Sequence, residues 1–194
     1  GYLADRYGRR TTLRLLSILF VVGALGTAVA PSVELMVVAR FVLGLAVGGG
    51  SATVPVFIAE IAGPKRRGRL VSRNELMIVS GQLLAYVLSA LLAWLVHDNG
   101  IWRYMLAIAM VPGILLFAGT FLLPTSPRWL AAKGRIEEAE AVLERLRDTP
   151  EEVQREVEEM RESEEQAKHR PPLRELLAQG WVVKLLLLGI GLGF

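Results

Sequence analysis

The sequence predicts an all-α membrane protein, and three observations point there. Of 194 residues, 53% are hydrophobic, with a mean hydropathy of +0.42, whereas water-soluble domains hold about 45–50% apolar residues. The apolar residues are gathered into blocks nearly free of charge, each about as long as the ~20 residues a bilayer-spanning helix needs. Basic residues collect between these blocks on alternate sides, as they do around membrane crossings.

Taken in order, the spans are expected at about 15–30, 36–62, 76–96 and 103–123. Lys and Arg number four in residues 1–14, none in 31–35, five in 63–73, one in 97–103 and ten in 124–180. The positive-inside rule therefore puts 1–14, 63–73 and 124–180 in the cytoplasm and the connectors near Pro31 and Asp98 outside. The pI of about 9.5 needs no nucleic-acid partner, because the basic residues sit at the ends of apolar blocks. There is no cysteine, and the two histidines, His97 and His169, are far apart, so neither disulfide nor metal chemistry is expected. The chain opens at Gly1 with no leader-like pattern and stops at Phe194 inside a fresh apolar run, so both ends are expected to be internal to a longer protein.

Residues 124–180 predict short surface helices. Ile136, Ala139, Leu143 and Leu146 recur at helical spacing, with Glu137, Glu138, Glu144 and Arg147 on other faces. Thr149, Pro150 and Glu152 fit a cap, first-turn proline and capping acid for a second helix through Val153, Val157 and Met160, which Pro171 and Pro172 would end.

Polar groups inside the spans are functional candidates, since an intramembrane charge costs about 2.5–3.5 kcal/mol even on insertion scales. Arg40 either snorkels to the interface or meets a carboxylate on another helix. On the same helix, Gly44 and Gly48 form a small-xxx-small pair that predicts close helix packing, and Pro55 loosens the backbone ladder. Glu75, Gln82, Tyr86 and Ser89 share one face of the third span. That stripe either lines a path for a hydroxyl-rich ligand or provides hydrogen bonds between helices.

The opening run Gly1-Tyr-Leu-Ala-Asp5-Arg6-Tyr-Gly8-Arg9-Arg10 resembles the cytoplasmic signature between the second and third helices of the major facilitator superfamily. Ala59-Glu60 followed by Arg67-Gly68-Arg69, and Pro124-Thr-Ser-Pro127-Arg128-Trp129-Leu130, are similar to motifs of its sugar porter family. The resemblance spans the chain and implies a fragment of that fold. Residues 1–123 would be part of the N-terminal bundle, from the end of helix 2 through helix 6. Residues 124–180 would be the cytoplasmic helical domain, and 181–194 the start of helix 7 of the C-terminal bundle.

The resemblance also implies a function, a secondary active transporter of a sugar or polyol in the plasma (cytoplasmic or inner) membrane, not an enzyme and without cofactor. Asp5, Arg9, Arg10, Glu60, Arg67 and Arg128 would form a cytoplasmic charge network. Arg40 would be the proton-coupling partner of a helix 1 aspartate. Gln82 and Glu75 would contact substrate. Glu75 departs from the glutamine usual in pentose and hexose carriers, and the Asn74–Gln82 run resembles bacterial carriers of myo-inositol, which makes that polyol the favoured substrate. Thr125 departs from the family's glutamate and removes one arm of the network. The partners expected are the solute, protons, the lipid bilayer and the remaining helices of the same protein. Two rivals are a non-transporting sugar sensor of transporter ancestry and an inactive partial gene product.

Overall fold

The computed structural model describes residues 2–95 and 100–168. Among them are helices α1 (Tyr2–Tyr7), α2 (Arg9–Val29), α3 (Val33–Ile61), α4 (Pro64–Leu95), α5 (Ile101–Ile108), α6 (Met110–Leu122), α7 (Pro127–Ala132), α8 (Ile136–Leu146) and α9 (Pro150–Lys168), and no strand. Four stretches are long and apolar enough to cross a membrane: Arg9–Val29, Val33–Ile61, Gly68–Leu95 and Ile101–Leu122. His97, Asp98, Pro171, Pro172 and the expected start of helix 7 at 181–194 lie outside the described residues.

Helix boundaries follow local chemistry. Ala30 precedes Pro31 and turns to the extended conformation that a following proline imposes, which stops α2. Ser32 then caps α3, its side chain accepting from the Leu35 N–H. Pro55 sits inside α3 without ending it. The last span instead breaks at Ala109 between α5 and α6. Pro112 has no N–H to offer the Ile108 carbonyl four residues back, and the Ala109 N–H turns to Leu106 in a tighter bond of 3.2 Å. Hydroxyls within the spans are satisfied by their own helix: Thr12 donates to the Gly8 carbonyl and Thr27 to Gly23.

The bundle is organised around α2, which packs on α3, α5 and α6. Glycines let the backbones approach. A Cβ at Gly23 would stand 2.9 Å from the backbone N of Leu43, one at Gly49 would meet Leu16 at 2.7 Å, and one at Gly113 would meet Phe20 at 2.7 Å. The pair expected to serve this purpose, Gly44 and Gly48, faces nothing within 4 Å among the described residues. The α2–α3 contact falls one face away from them. Gly23→Ala is accordingly expected to cost about 1–3 kcal/mol, because the added methyl meets backbone, not a yielding side chain. A fall in the melting temperature of the detergent-purified protein would register it, and an unchanged melt would contradict this packing.

Beyond the spans, α7, α8 and α9 form a small separate core. Leu130, Ala131 and Ala139 pack together, as do Leu143, Val153 and Val157, with Ile136 and Met160 against both groups. Ser126 caps α7 by accepting from Trp129 N–H, with Pro127 in the first turn. Gly134, at φ +74°, closes α7: its N–H reaches the Ala131 carbonyl and that of Arg135 reaches Leu130. Thr149 accepts from the Glu152 N–H at the start of α9.

This core sits at the end of the bundle where α2 begins, α3 ends, α4 begins and α6 ends. The contacts are Arg9 to Glu60, Ser126 to Glu60, Arg66 to Asp148 and Arg147 to Ile61. The basic stretches 1–14 and 63–73 and the described part of 124–180 therefore share one end. At the opposite end, Arg103 donates to the Ala30 carbonyl.

Candidate functional site

Two groups of polar residues stand out, one joining helix ends and one exposed along α4. The first centres on Arg9. Gly8, at φ +88°, makes the corner between α1 and α2, and a Cβ there would press within 3.2 Å of the Trp129 ring. Past that corner Arg9 Nη1 reaches Asp5 Oδ1 at 2.7 Å and the Ala4 carbonyl at 3.0 Å, while Nε donates to Glu60 Oε1 at 3.1 Å. Glu60 is 10% exposed at its side chain, whereas Asp5 is 62% exposed. Its second oxygen accepts from Ser126 Oγ at 2.5 Å. Trp129 closes the ring of contacts, its Nε1–H donating to the Asp5 carbonyl at 3.0 Å. One carboxylate thus ties the start of α2, the end of α3 and the cap of α7.

Other expected members of the network are placed differently. Arg10 pairs with no carboxylate among the described residues. Its guanidinium donates to the carbonyls of Thr120 and Phe121, both at 2.9 Å, and so caps the C-terminal end of α6, where carbonyls lack helical partners and the helix dipole favours a cation. Arg14 adds to the same joint, donating to Thr120 Oγ1 at 3.2 Å and lying over the Phe121 ring. Arg128 is exposed and makes no ion pair among the described residues. The side chain of Arg67 lies outside the described residues.

Three contributors escaped the sequence reading. Ser126 was legible as a cap but not as a partner of Glu60, and Trp129 had no signal beyond its place in the motif. Arg147, read as a surface residue, is buried to 4% exposure and pairs bidentately with Glu156 at 2.7 and 2.8 Å. Its remaining Nη1 donates to the carbonyl of Ile61, the last residue of α3. It follows the end of α8, and only the fold brings those groups around it.

The second group is the stripe on α4. Glu75, Gln82 and Tyr86 are exposed and Ser89 half-buried, and the seven-residue step from Glu75 to Gln82 is about 10.5 Å along the axis. Among the described residues nothing pairs with the Glu75 carboxylate. Arg40 is likewise exposed on α3 and meets no carboxylate there. Arg40 and the α4 stripe are therefore without a charged partner among the described residues.

The described residues thus combine membrane-length helices joined by a charged node at one end with a polar stripe along an apolar helix. The family described as sugar (and other) transporter matches residues 1–194. The chain belongs to that family. Among curated relatives of this chain, the galactose-proton symporter of Escherichia coli (strain K12) is 47% identical over 163 residues, covering 84% of the chain and 34% of that protein. The major myo-inositol transporter IolT of Bacillus subtilis (strain 168) is 43% identical over 197 residues, covering 99% of the chain and 41% of that protein. Of solved structures, the proton:xylose symporter XylE bound to 6-bromo-6-deoxy-D-glucose superposes with a TM-score of 0.81 at 30% identity, over 87% of this chain and 40% of that one. The chain thus spans about a third to two fifths of the length of these relatives. Its fold is that of the major facilitator superfamily, and it is a multi-pass membrane protein of a transporter family, not of an enzyme family.

Proposed function

We propose that this chain works within a secondary active carrier that moves a sugar or polyol by alternating access, coupled to protons, with myo-inositol the favoured solute. The observation that carries this is the exposed stripe of Glu75, Gln82 and Tyr86 on α4 in a chain of the sugar transporter family. A carboxylate accepts hydrogen bonds only, and accepts them more strongly than an amide, so Glu75 suits two hydroxyl donors of a cyclic polyol. The names of the relatives support the solute class and the coupling: one is a myo-inositol transporter and one a galactose-proton symporter.

In this reading residues 1–123 belong to the N-terminal bundle, 124–180 to a cytoplasmic helical domain and 181–194 to the C-terminal bundle, in the cytoplasmic membrane. Arg40 partners a carboxylate on another helix whose protonation weakens the pair and couples proton binding to rearrangement. The Arg9–Glu60–Ser126 node ties the cytoplasmic ends of the N-terminal bundle to the cytoplasmic helical domain.

The test is uptake of labelled myo-inositol by the intact carrier in proteoliposomes. An imposed proton gradient is expected to drive accumulation, and equal accumulation with the gradient collapsed would exclude symport. Glu75→Gln is expected to weaken apparent affinity about tenfold, the loss of about 1.4 kcal/mol of charge-assisted hydrogen bonding. Full rate and affinity in that variant would remove Glu75 from the site.

A further inference from the structure

The side of α4 away from the polar stripe carries a pattern of its own. Arg69, Arg73, Met77, Leu84, Leu91 and Trp94 follow one another along a single line of the helix, and all are exposed. The steps between them are sums of three and four residues, which keep side chains on one helical face. The stripe of Glu75, Gln82 and Tyr86 lies roughly a third to a half of a turn around the axis from this line.

Bulk decides what this face meets. Helix–helix contacts in membranes favour small residues, and on α4 the small Gly81, Ala85 and Ala93 fall on another side, at multiples of four residues. The outer line instead presents long apolar side chains, with Ser80 as its one small member. Arg73 and Trp94 are 21 residues apart, about 31 Å of helix, which matches the ~30 Å thickness of the hydrocarbon layer. One end of the line is thus cationic and the other aromatic, each at the depth of a membrane–water interface.

Among the described residues the cationic end is only partly engaged. Arg66, nearest the bundle end, is engaged with Asp148 at 2.8 Å. Arg69 and Arg73, one helical turn apart on the same line, are exposed and have no hydrogen-bond or ion-pair partner among the described residues.

We propose that the outer face of α4 binds an anionic phospholipid, its phosphate held between Arg69 and Arg73 and its acyl chains laid along Met77, Leu84 and Leu91. Charge complementarity selects the headgroup. Arginine's planar fork of donors fits phosphate oxygens bidentately, so the site reads charge and shape together. This surface is separate from the solute stripe, and its occupancy would tune stability without touching transport chemistry.

The test uses the intact carrier, purified in detergent, with phosphatidylglycerol or phosphatidylcholine added. Phosphatidylglycerol is expected to raise the melting temperature by several degrees more than phosphatidylcholine, and high salt is expected to shrink the difference. In Arg69→Gln/Arg73→Gln, retention of phosphatidylglycerol measured by native mass spectrometry is expected to fall about thirtyfold, from two lost basic contacts at the surface. Arg69→Lys/Arg73→Lys keeps the charges and is expected to retain most of the binding. Should the double Gln variant fail to fold, Arg73→Gln alone provides the same reading with about a fivefold loss. Equal stabilisation by the two lipids, or equal retention by wild type and the Gln variants, would overturn the proposal, as would the absence of any lipid effect, which would mean that protein covers this face.

Discussion

Arg147→Ala is expected to destabilise the core of α7, α8 and α9 by about 3–5 kcal/mol, the cost of leaving one member of a buried ion pair alone. Arg147 is the point where α8, α9 and the end of α3 meet. Its guanidinium is 4% exposed and holds the Glu156 carboxylate, itself 13% exposed, through two parallel bonds. It also supplies a donor to the Ile61 carbonyl, which lies at a helix end and has no amide of its own helix to accept from. Alanine strips both groups at once. Lysine is not a remedy, because a single ammonium cannot reproduce the fork. Limited proteolysis of the intact protein should cleave α8 and α9 far faster in the variant than in wild type. The double variant Arg147→Ala/Glu156→Ala should be less damaged than the two single losses add up to, because the second change removes the stranded charge. Strict additivity would show that the pair contributes nothing as a pair. The exposed Arg66–Asp148 bridge provides the contrast, and its removal should change stability by under about 1 kcal/mol.

Glu60→Ala is expected to have the second largest effect, about 3 kcal/mol, at the lower end of the buried-pair range because Arg9 retains Asp5. The variant separates what Glu60 joins: Arg9 on α2 loses its inner partner and Ser126 loses its acceptor. Amide exchange at the start of α7 should accelerate, and spin labels placed at the ends of α3 and α7 should report a longer, broader distance. Glu60→Gln keeps an oxygen for Ser126 and should lie between the two. An unchanged distance distribution in Glu60→Ala would show that the helix ends are held by apolar packing and not by this carboxylate.

The four spans were legible because hydropathy reads burial in lipid directly, and α8 because Ala139 and Leu143 recur at the helical period. Helix ends were less so. The first span begins at Arg9, not near residue 15, because backbone hydrogen bonding continues through Arg9, Arg10 and Arg14 once their side chains find partners. Packing glycines could not be picked from composition: Gly44 and Gly48 carry the recognised spacing, yet Gly23, Gly49 and Gly113 make the close approaches. Which glycine faces a neighbour depends on the rotation of the helix, and a single sequence does not encode that locally. The same reasoning covers the charged node. The Arg9 pairing with Asp5 is a one-turn relation, but Glu60 and Ser126 arrive from 51 and 117 residues away and Arg10 turned out to serve carbonyls. Charge type alone does not tell a guanidinium's carboxylate from its helix end.

Arg9 has two carboxylates of unlike setting, and this bears on how fast the joint can come apart. If the end of α3 moves away from α2 and α7, the guanidinium remains engaged with Asp5, one turn back along its own chain and already in contact with water. No bare cation has to form on the way. Glu60 has no such reserve: it loses Arg9 and Ser126 in one step and must collect water in their place. The activation barrier to opening is therefore concentrated on the α3 side. A substitution on α3 that hydrates Glu60 earlier should shorten the lifetime of the closed end more than any change at Asp5.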